Sequence, residues 1–294
     1  MESLYPWLLT INLLGNHYLS YLLHEVFMKS VKQMIAAGRQ FLKAYDWSQG
    51  PDIQTDQERG VSPPPFQKSY PDNAKLIDLV APQDFTIPPI PLLEVINRRK
   101  SRRGFINESL SLEELSFLLW TTQGIREVAI DNRHGKIDTT KRTVPSGGSR
   151  HPYETYLAVS KVTGLKPGLY RYLALEHKLL EISLTESDLC TRISEICHRQ
   201  TFVARAATIF IWAVIPYRIE WRYSVAAHKG TAIEAGHIGQ NLYLACEAIG
   251  AGTCAIAAYD QTAIDELLGL DGTDEFVVYI SPVGKISLHN RYIP

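Results

Sequence analysis

The sequence predicts an α+β fold, and three observations carry that reading. Helical and extended patterns are interspersed along the chain without the strict βα alternation of a doubly wound sheet. The run Ala207-Thr-Ile-Phe-Ile-Trp-Ala-Val214 is bounded and rich in β-branched residues, as a buried strand is. The longest helical pattern, Lys229 to Ile249, is stopped by Gly250 and Gly252. With 294 residues, 45% hydrophobic and 21% charged, the chain is one large or two small domains of ordinary globular composition.

Taken in order, residues 1–27 form an N-terminal extension that is apolar but an unsuitable anchor. Glu2 stands where a basic n-region belongs, and Asn12, Asn16 and His17 interrupt the stretch. Met28 opens an ordinary N-terminus, MKSVKQM. Residues 28–90 read as a helical and proline-rich leader. Val31, Met34, Ile35, Phe41, Leu42 and Tyr45 keep helical spacing, and nine of the sixteen prolines then fall between Pro51 and Pro91. Proline removes donors and fixes φ, so that segment is extended and either wraps over a surface or reaches a partner subunit.

The regular body spans 91–294. Leu92 to Lys100 is a short helix with Leu92, Leu93 and Ile96 on one side. Ser111-Leu-Glu-Glu114 is a capping box for a helix that stops at Gly124. Residues 131–141 are polar and read as a loop. Strands are expected at 154–162, 168–172, 179–182, 207–214, 253–257 and 276–283, with helices at 187–199 and 261–268.

Thirty basic against thirty-one acidic residues argue against general nucleic-acid binding. The four cysteines are too few for a disulfide scaffold and lack zinc-finger spacing. They read as reduced, buried thiols of a cytoplasmic protein, with no metal and no membrane expected. Neither common nucleotide loop is present, nor are the H-E-x-x-H and G-x-S-x-G motifs. Three stretches stand out. Arg98-Arg-Lys-Ser-Arg-Arg103 admits a solvated face, a nucleic-acid patch or a phosphate site, the last because guanidinium forks and a hydroxyl suit a dianion. Arg142 to Tyr153 contains Pro145-Ser-Gly-Gly148, whose glycines let backbone approach something flat or anionic. Cys254-Ala-Ile-Ala-Ala-Tyr-Asp260 sets small residues at a strand end.

In this order the three stretches are specific. From about Pro91 onward the chain resembles the FMN-dependent nitroreductase superfamily, and within it the SagB-type dehydrogenases. The R-x-S-x-R-x-F phosphate motif reads Arg99-Lys-Ser101-Arg-Arg103-Gly-Phe105. The P-S-G-G-x-x-x-P loop reads Pro145 to Pro152, and the flavin-edge turn reads Ala255 to Asp260. Glu234-Ala-Gly-His-Ile-Gly-Gln-Asn241 is similar to the start of the long dimerisation helix. Leu267-Leu-Gly-Leu-Asp271, Pro282-Val-Gly-Lys285 and the leader's Pro63-Pro-Pro-Phe also match.

The resemblance implies a central, mostly antiparallel sheet flanked by helices, and a homodimer with FMN at its interface. Arg99, Ser101 and Arg103 would hold the phosphate, completed by Lys285 or Arg291. Pro145, Ser146, Gly147, Gly148 and Ser149 would line the isoalloxazine, and the N–H groups of Ala257 and Ala258 would face N5. The implied reaction is hydride transfer from a small molecule or modified peptide to flavin. The alternatives are an NAD(P)H-dependent nitro or quinone reductase and a flavin-binding, non-catalytic partner subunit. In one departure, SagB-type azoline oxidases carry Lys-Tyr where this chain has Arg222-Tyr223, and the later Tyr-Arg is replaced by His228-Lys229. Tyr223 and Arg222 are therefore the catalytic candidates. Arginine, with a pKa above about 12, orients substrate or stabilises an anion but does not act as a base.

Overall fold

A computed structural model of the protein describes residues 30–45, 53–131, 136–185 and 188–287. The N-terminal extension 1–27 and Arg291 lie outside these residues. Two compact units divide the chain between Pro51 and Asp52. In the first, residues 30–41 form helix α1, with Met34, Ile35 and Phe41 exposed.

The second unit is built on a seven-stranded sheet. Its strands are β1 (Leu76–Asp78), β4 (Tyr153–Val159), β5 (Gly168–Leu173), β6 (Lys178–Leu184), β7 (Thr208–Val214), β8 (Ala251–Thr253) and β9 (Phe276–Lys285). They lie in the order β1-β6-β5-β4-β7-β9-β8, and every neighbouring pair is antiparallel. The two central strands, β4 and β7, are buried along their whole length. Successive side chains of β7 enter opposite cores: Phe210, Trp212 and Val214 on one face, Ile209, Ile211 and Ala213 on the other. Burial on both faces is why this strand reads as an unbroken apolar run.

The helices are α2 (Leu92–Arg98), α3 (Leu112–Gln123), α4 (Leu189–Ile196), α5 (Tyr217–Tyr223), α6 (Ala227–Ala248) and α7 (Gln261–Leu268). Helices α3 and α6 cover the face that holds Trp212, and α4 and α7 the face that holds Ile211. Ser111 and Glu114 close the reciprocal capping box of α3. The 22-residue α6 lies so close to β9 that a Cβ on Gly239 would meet the Tyr279 ring at 2.7 Å.

Three local expectations are corrected. Residues 136–142 are not loop: they form β3 (Lys136–Arg142), paired antiparallel with β2 (Ile125–Asp131) as a separate hairpin. This hairpin leaves Val128 and Ile130 exposed, so no apolar face marks it in the sequence. The predicted 253–257 strand is β8, displaced to 251–253, because Ala255 gives its N–H to the Tyr243 hydroxyl at 2.9 Å instead of to β9. Helix α2 ends at Arg98 rather than Lys100; its Leu92, Leu93 and Ile96 are exposed and Val95 is buried.

The proline-rich segment 53–91 runs over its own chain. It has few donors and little sheet pairing, so its carbonyls need partners from elsewhere. Buried arginines supply them. Arg171 donates to the carbonyls of Lys68 and Ser69 at 2.9 Å each, and Arg142 to that of Phe66 at 3.0 Å. The Lys68 N–H donates to buried Glu154 at 2.8 Å, and Arg218 of α5 donates to the same carboxylate oxygen at 2.6 Å. Arg150 stacks between Phe66 and Trp221, 4.8 and 4.9 Å from their ring centres. Trp221 Nε1 donates to Val61 O at 2.8 Å, and Gln57 N to Trp221 O at 3.0 Å. The strap, β4 and α5 are thus joined.

Removing one member of a buried, hydrogen-bonded ion pair leaves an uncompensated charge and costs about 3–5 kcal/mol. Arg218→Met should therefore lower the unfolding free energy by about that amount in urea titrations. A loss under about 1 kcal/mol would show that Arg171 and the Lys68 amide neutralise Glu154 without it.

Candidate active site

A cleft of about 470 Å³ opens where α5 turns into α6, walled by Ile219, Tyr223, Ala227, Ile233, Glu234 and the 145–147 backbone. The turn is sharp. Ser224, directly after Tyr223, has φ 45° and ψ −128°, a conformation favoured by glycine. In the loop that continues from Gly147, Gly148, Ser149 and His151 have φ of 58°, 54° and 46°. Non-glycine residues in this region cost of order 1–3 kcal/mol each, and such strain collects at functional sites.

Gly148 is required by contact as well as by φ. A Cβ there would meet Arg222 Cδ at 2.6 Å and Tyr223 Oη at 3.0 Å. The loop backbone therefore lies directly against Arg222 and Tyr223. Glu234 of α6, buried, fixes this loop from below by accepting the Gly147 N–H at 2.7 Å. Burial pushes the Glu234 carboxyl above its usual range, against the opposing pull of the Gly147 N–H and the Ser146 hydroxyl. Ser146 Oγ also accepts the His151 N–H at 2.8 Å. His151 is buried among Arg142, Arg150 and Arg218; desolvation and those cations hold its pKa near about 3. Its ring is neutral, and Nε2 lies 3.1 Å from Thr140 O, to which it donates.

The basic cluster sits on another part of the unit. Residues 99–103 leave α2 in extended form, so alternate side chains face opposite ways. Arg102 turns inward and pairs with buried Glu247 at 3.0 Å. Ser101 and Arg103 are exposed, and Arg99 is half-buried. Arg99 lies over the Tyr243 ring at 5.5 Å, Arg103 over Phe202 at 5.6 Å, and Ser101 Oγ lies 3.1 Å from Tyr243 Oη. Among the described residues neither Arg99 nor Arg103 has a carboxylate partner. Ala257 and Ala258 are exposed, and among the described residues nothing accepts their N–H groups. Lys285 is committed to Glu114 and to Ile249 O at 3.0 Å, tying the end of β9 to the start of α3.

The sequence-derived site residues thus fall into two groups. Gly147 and Gly148 meet Arg222 and Tyr223, with Pro145 and Ser146 on the cleft wall; Arg99 and Ser101 meet Tyr243, which also holds Ala255. Both groups are anchored on α6, through Glu234 and Tyr243. These residues are nine positions apart, about two and a half turns and roughly 14 Å along the axis, so they occupy opposite sides of the helix. Tyr243 escaped the sequence reading because one tyrosine among small helix residues carries no motif. Asn241 donates to Thr121 O at 2.9 Å and serves packing on α3. The four cysteines are buried and free. Among the described residues no helix is long and apolar enough to cross a membrane.

The chain is similar to several known proteins. A protein of Methanocaldococcus jannaschii named as a nitroreductase is 30% identical over 196 residues, 67% of this chain and 91% of its own. The trifolitoxin-processing protein TfxB of Rhizobium leguminosarum bv. trifolii is 26% identical over 55% of this chain, but only 44% of its own length is spanned. The crystal structure of a protein of Ralstonia eutropha named as a nitroreductase superposes with TM-score 0.58 at 25% identity, covering 75% of this chain and 94% of that one. Residues 96–285 match the model of the nitroreductase family, and the chain belongs to that family.

Proposed function

We propose that this oxidoreductase is a SagB-type dehydrogenase that uses FMN. The observation that carries the reading is that the 99–103 segment, the 145–149 loop and the 255–258 turn are all tied to one helix, α6. The residues present fit the cofactor. Two arginines that have no carboxylate partner among the described residues flank a hydroxyl, which suits a phosphate dianion. Gly147 presents bare backbone to the cleft that a flat ring can approach, Gly148 being covered by Arg222 and Tyr223, and among the described residues nothing accepts the Ala257 and Ala258 amides.

Bound FMN would supply two-electron chemistry by accepting hydride. The chain's own groups then have separate tasks. Arg99, Ser101 and Arg103 would hold the phosphate. The Ala257 and Ala258 amides would offer donors to the ring. Tyr223 Oη, against the loop glycine, moves the substrate proton, and Arg222 orients substrate or stabilises an anion. Lys285, held by Glu114, would have to exchange partners before it could join the phosphate site.

The likeness to a trifolitoxin-processing protein supports the SagB-type assignment and a modified peptide as the substrate class. Four buried, free thiols support a reducing, cytoplasmic setting. The two halves of the site lie on opposite sides of α6, so in a single copy they face apart. A homodimer would bring the loop of one copy to the cluster of the other. Leu92, Leu93, Ile96 and Ile233, all exposed, give such an interface its apolar surface.

Three outcomes are expected. The purified protein should be yellow and release FMN rather than FAD, and Arg103→Glu should lose the flavin because a like charge then faces the phosphate. Colourless protein that reconstitutes with neither flavin would remove the basis of the reading. Light scattering after size exclusion should give about 66 kDa, twice the chain's 33.1 kDa; a monomer that keeps FMN contradicts the shared site. Tyr223→Phe should retain flavin while turnover falls about 10²-fold, the scale of a lost general acid or base. A near-silent Tyr223→Phe would make the ring a packing element. Rapid reduction by NADPH in stopped flow would favour the reductase alternative.

A further inference from the structure

Tyr243 touches three parts of the flavin site at once. Its ring carries the Arg99 guanidinium at 5.5 Å, and its hydroxyl lies 2.9 Å from Ala255 N and 3.1 Å from Ser101 Oγ. An amide N–H only donates, so Tyr243 Oη is the acceptor toward Ala255. Between Tyr243 Oη and Ser101 Oγ either oxygen can donate. When the phenol gives its proton to Ser101, the serine hydroxyl keeps its own proton for an anion.

We propose that Tyr243 is the positioning residue of the phosphate site: it orients Ser101 as a donor to an anion and couples that anion to the 255–258 turn. The bonds run head to tail, from Ala255 N–H through Tyr243 O–H to Ser101 O–H. Each polarises the next, so an anion received by Ser101 strengthens the hold on the Ala255 amide. Stacking of Arg99 on the same ring keeps one cation beside the oriented hydroxyl. The residue touches the reacting ring in none of these contacts; it acts through Ser101 and the turn. The inference rests on the flavin reading above.

The test compares FMN with riboflavin, which shares the ring and lacks the phosphate, titrated into flavin-free protein by fluorescence quenching. In Tyr243→Phe, FMN affinity should fall about tenfold or more, the scale of an oriented hydrogen bond to a charged group, while riboflavin affinity stays within about twofold. FMN should shift the Ala255 amide resonance in the wild type and leave it nearly unmoved in the variant. Ser101→Ala should lose the same preference for FMN, and the double variant should lose no more than either single one. An unchanged FMN-to-riboflavin ratio in Tyr243→Phe, or equal weakening of both flavins, overturns the inference while leaving the flavin reading intact. A wild type that binds neither flavin overturns both. If Tyr243→Phe does not fold, Ser101→Ala decides alone: its exposed side chain contributes nothing to the core, and an unchanged ratio there rejects the oriented donor.

Discussion

One buried carboxylate determines how the strap, the sheet and the cleft meet. Glu154 lies on the central strand β4, and one of its oxygens accepts from Arg218 of α5 at 2.6 Å and from the Lys68 amide at 2.8 Å. Arg171 of the neighbouring strand stands 4.0 Å from the other oxygen and donates from Nη2 to two strap carbonyls. Taking these charges out of water is costly, and apolar residues of the same volume would fill the space at least as stably. What apolar residues would not do is fix register. A guanidinium that reaches two successive carbonyls and a carboxylate that reaches one amide admit one alignment of strap on sheet. Because α5 hangs from the same carboxylate, that alignment also sets where Arg222 and Tyr223 stand.

The walls of the cleft then follow from α6. Tyr153 Oη, at the start of β4, donates to Thr231 O at 2.8 Å, and Gly239 admits the Tyr279 ring from β9. The helix is thereby seated on the two strands flanking β7. From that seat Glu234 reaches the glycine loop and Tyr243 reaches the strand end at Ala255. Peeling of Ala255 away from β9 is what frees the small residues beyond it. Ile256 returns to pair with Ile280, and Ala257 and Ala258 stand clear.

What the sequence made legible tracks how many faces of an element are buried. Strand β7 announced itself because both faces are covered, and α3 because its capping box is a local device. The β2–β3 hairpin did not, because exposed Val128 and Ile130 break the link between apolarity and burial. Helix α5 was hidden for the opposite reason: one of its buried side chains is Arg218, whose partner Glu154 is far away in sequence. In α2 the apolar side with Leu92, Leu93 and Ile96 is exposed, and Val95 is the residue inside. The glycine loop and the arginine–serine spacing were readable as motifs. Their anchors on α6 were not, since one carboxylate and one tyrosine acquire meaning only when the fold brings a loop to each.

The strained residues bear on the chemistry rather than on the fold. Ser149 and His151 in the glycine loop, and Ser224 at the turn from α5 to α6, hold backbone conformations that glycine would adopt at no steric cost. Glycine would also leave the unfolded chain freer and the folded walls softer. With side chains present, each position is over-determined: Ser146 holds the His151 amide, His151 is fixed by Thr140, and Ser224 is bracketed by two helices. The distance between loop and Tyr223 is therefore set by groups on both sides that cannot relax independently. A proton-transfer group is useful only within hydrogen-bond reach of its substrate, so rigidity of this kind is what the proposed role of Tyr223 calls for.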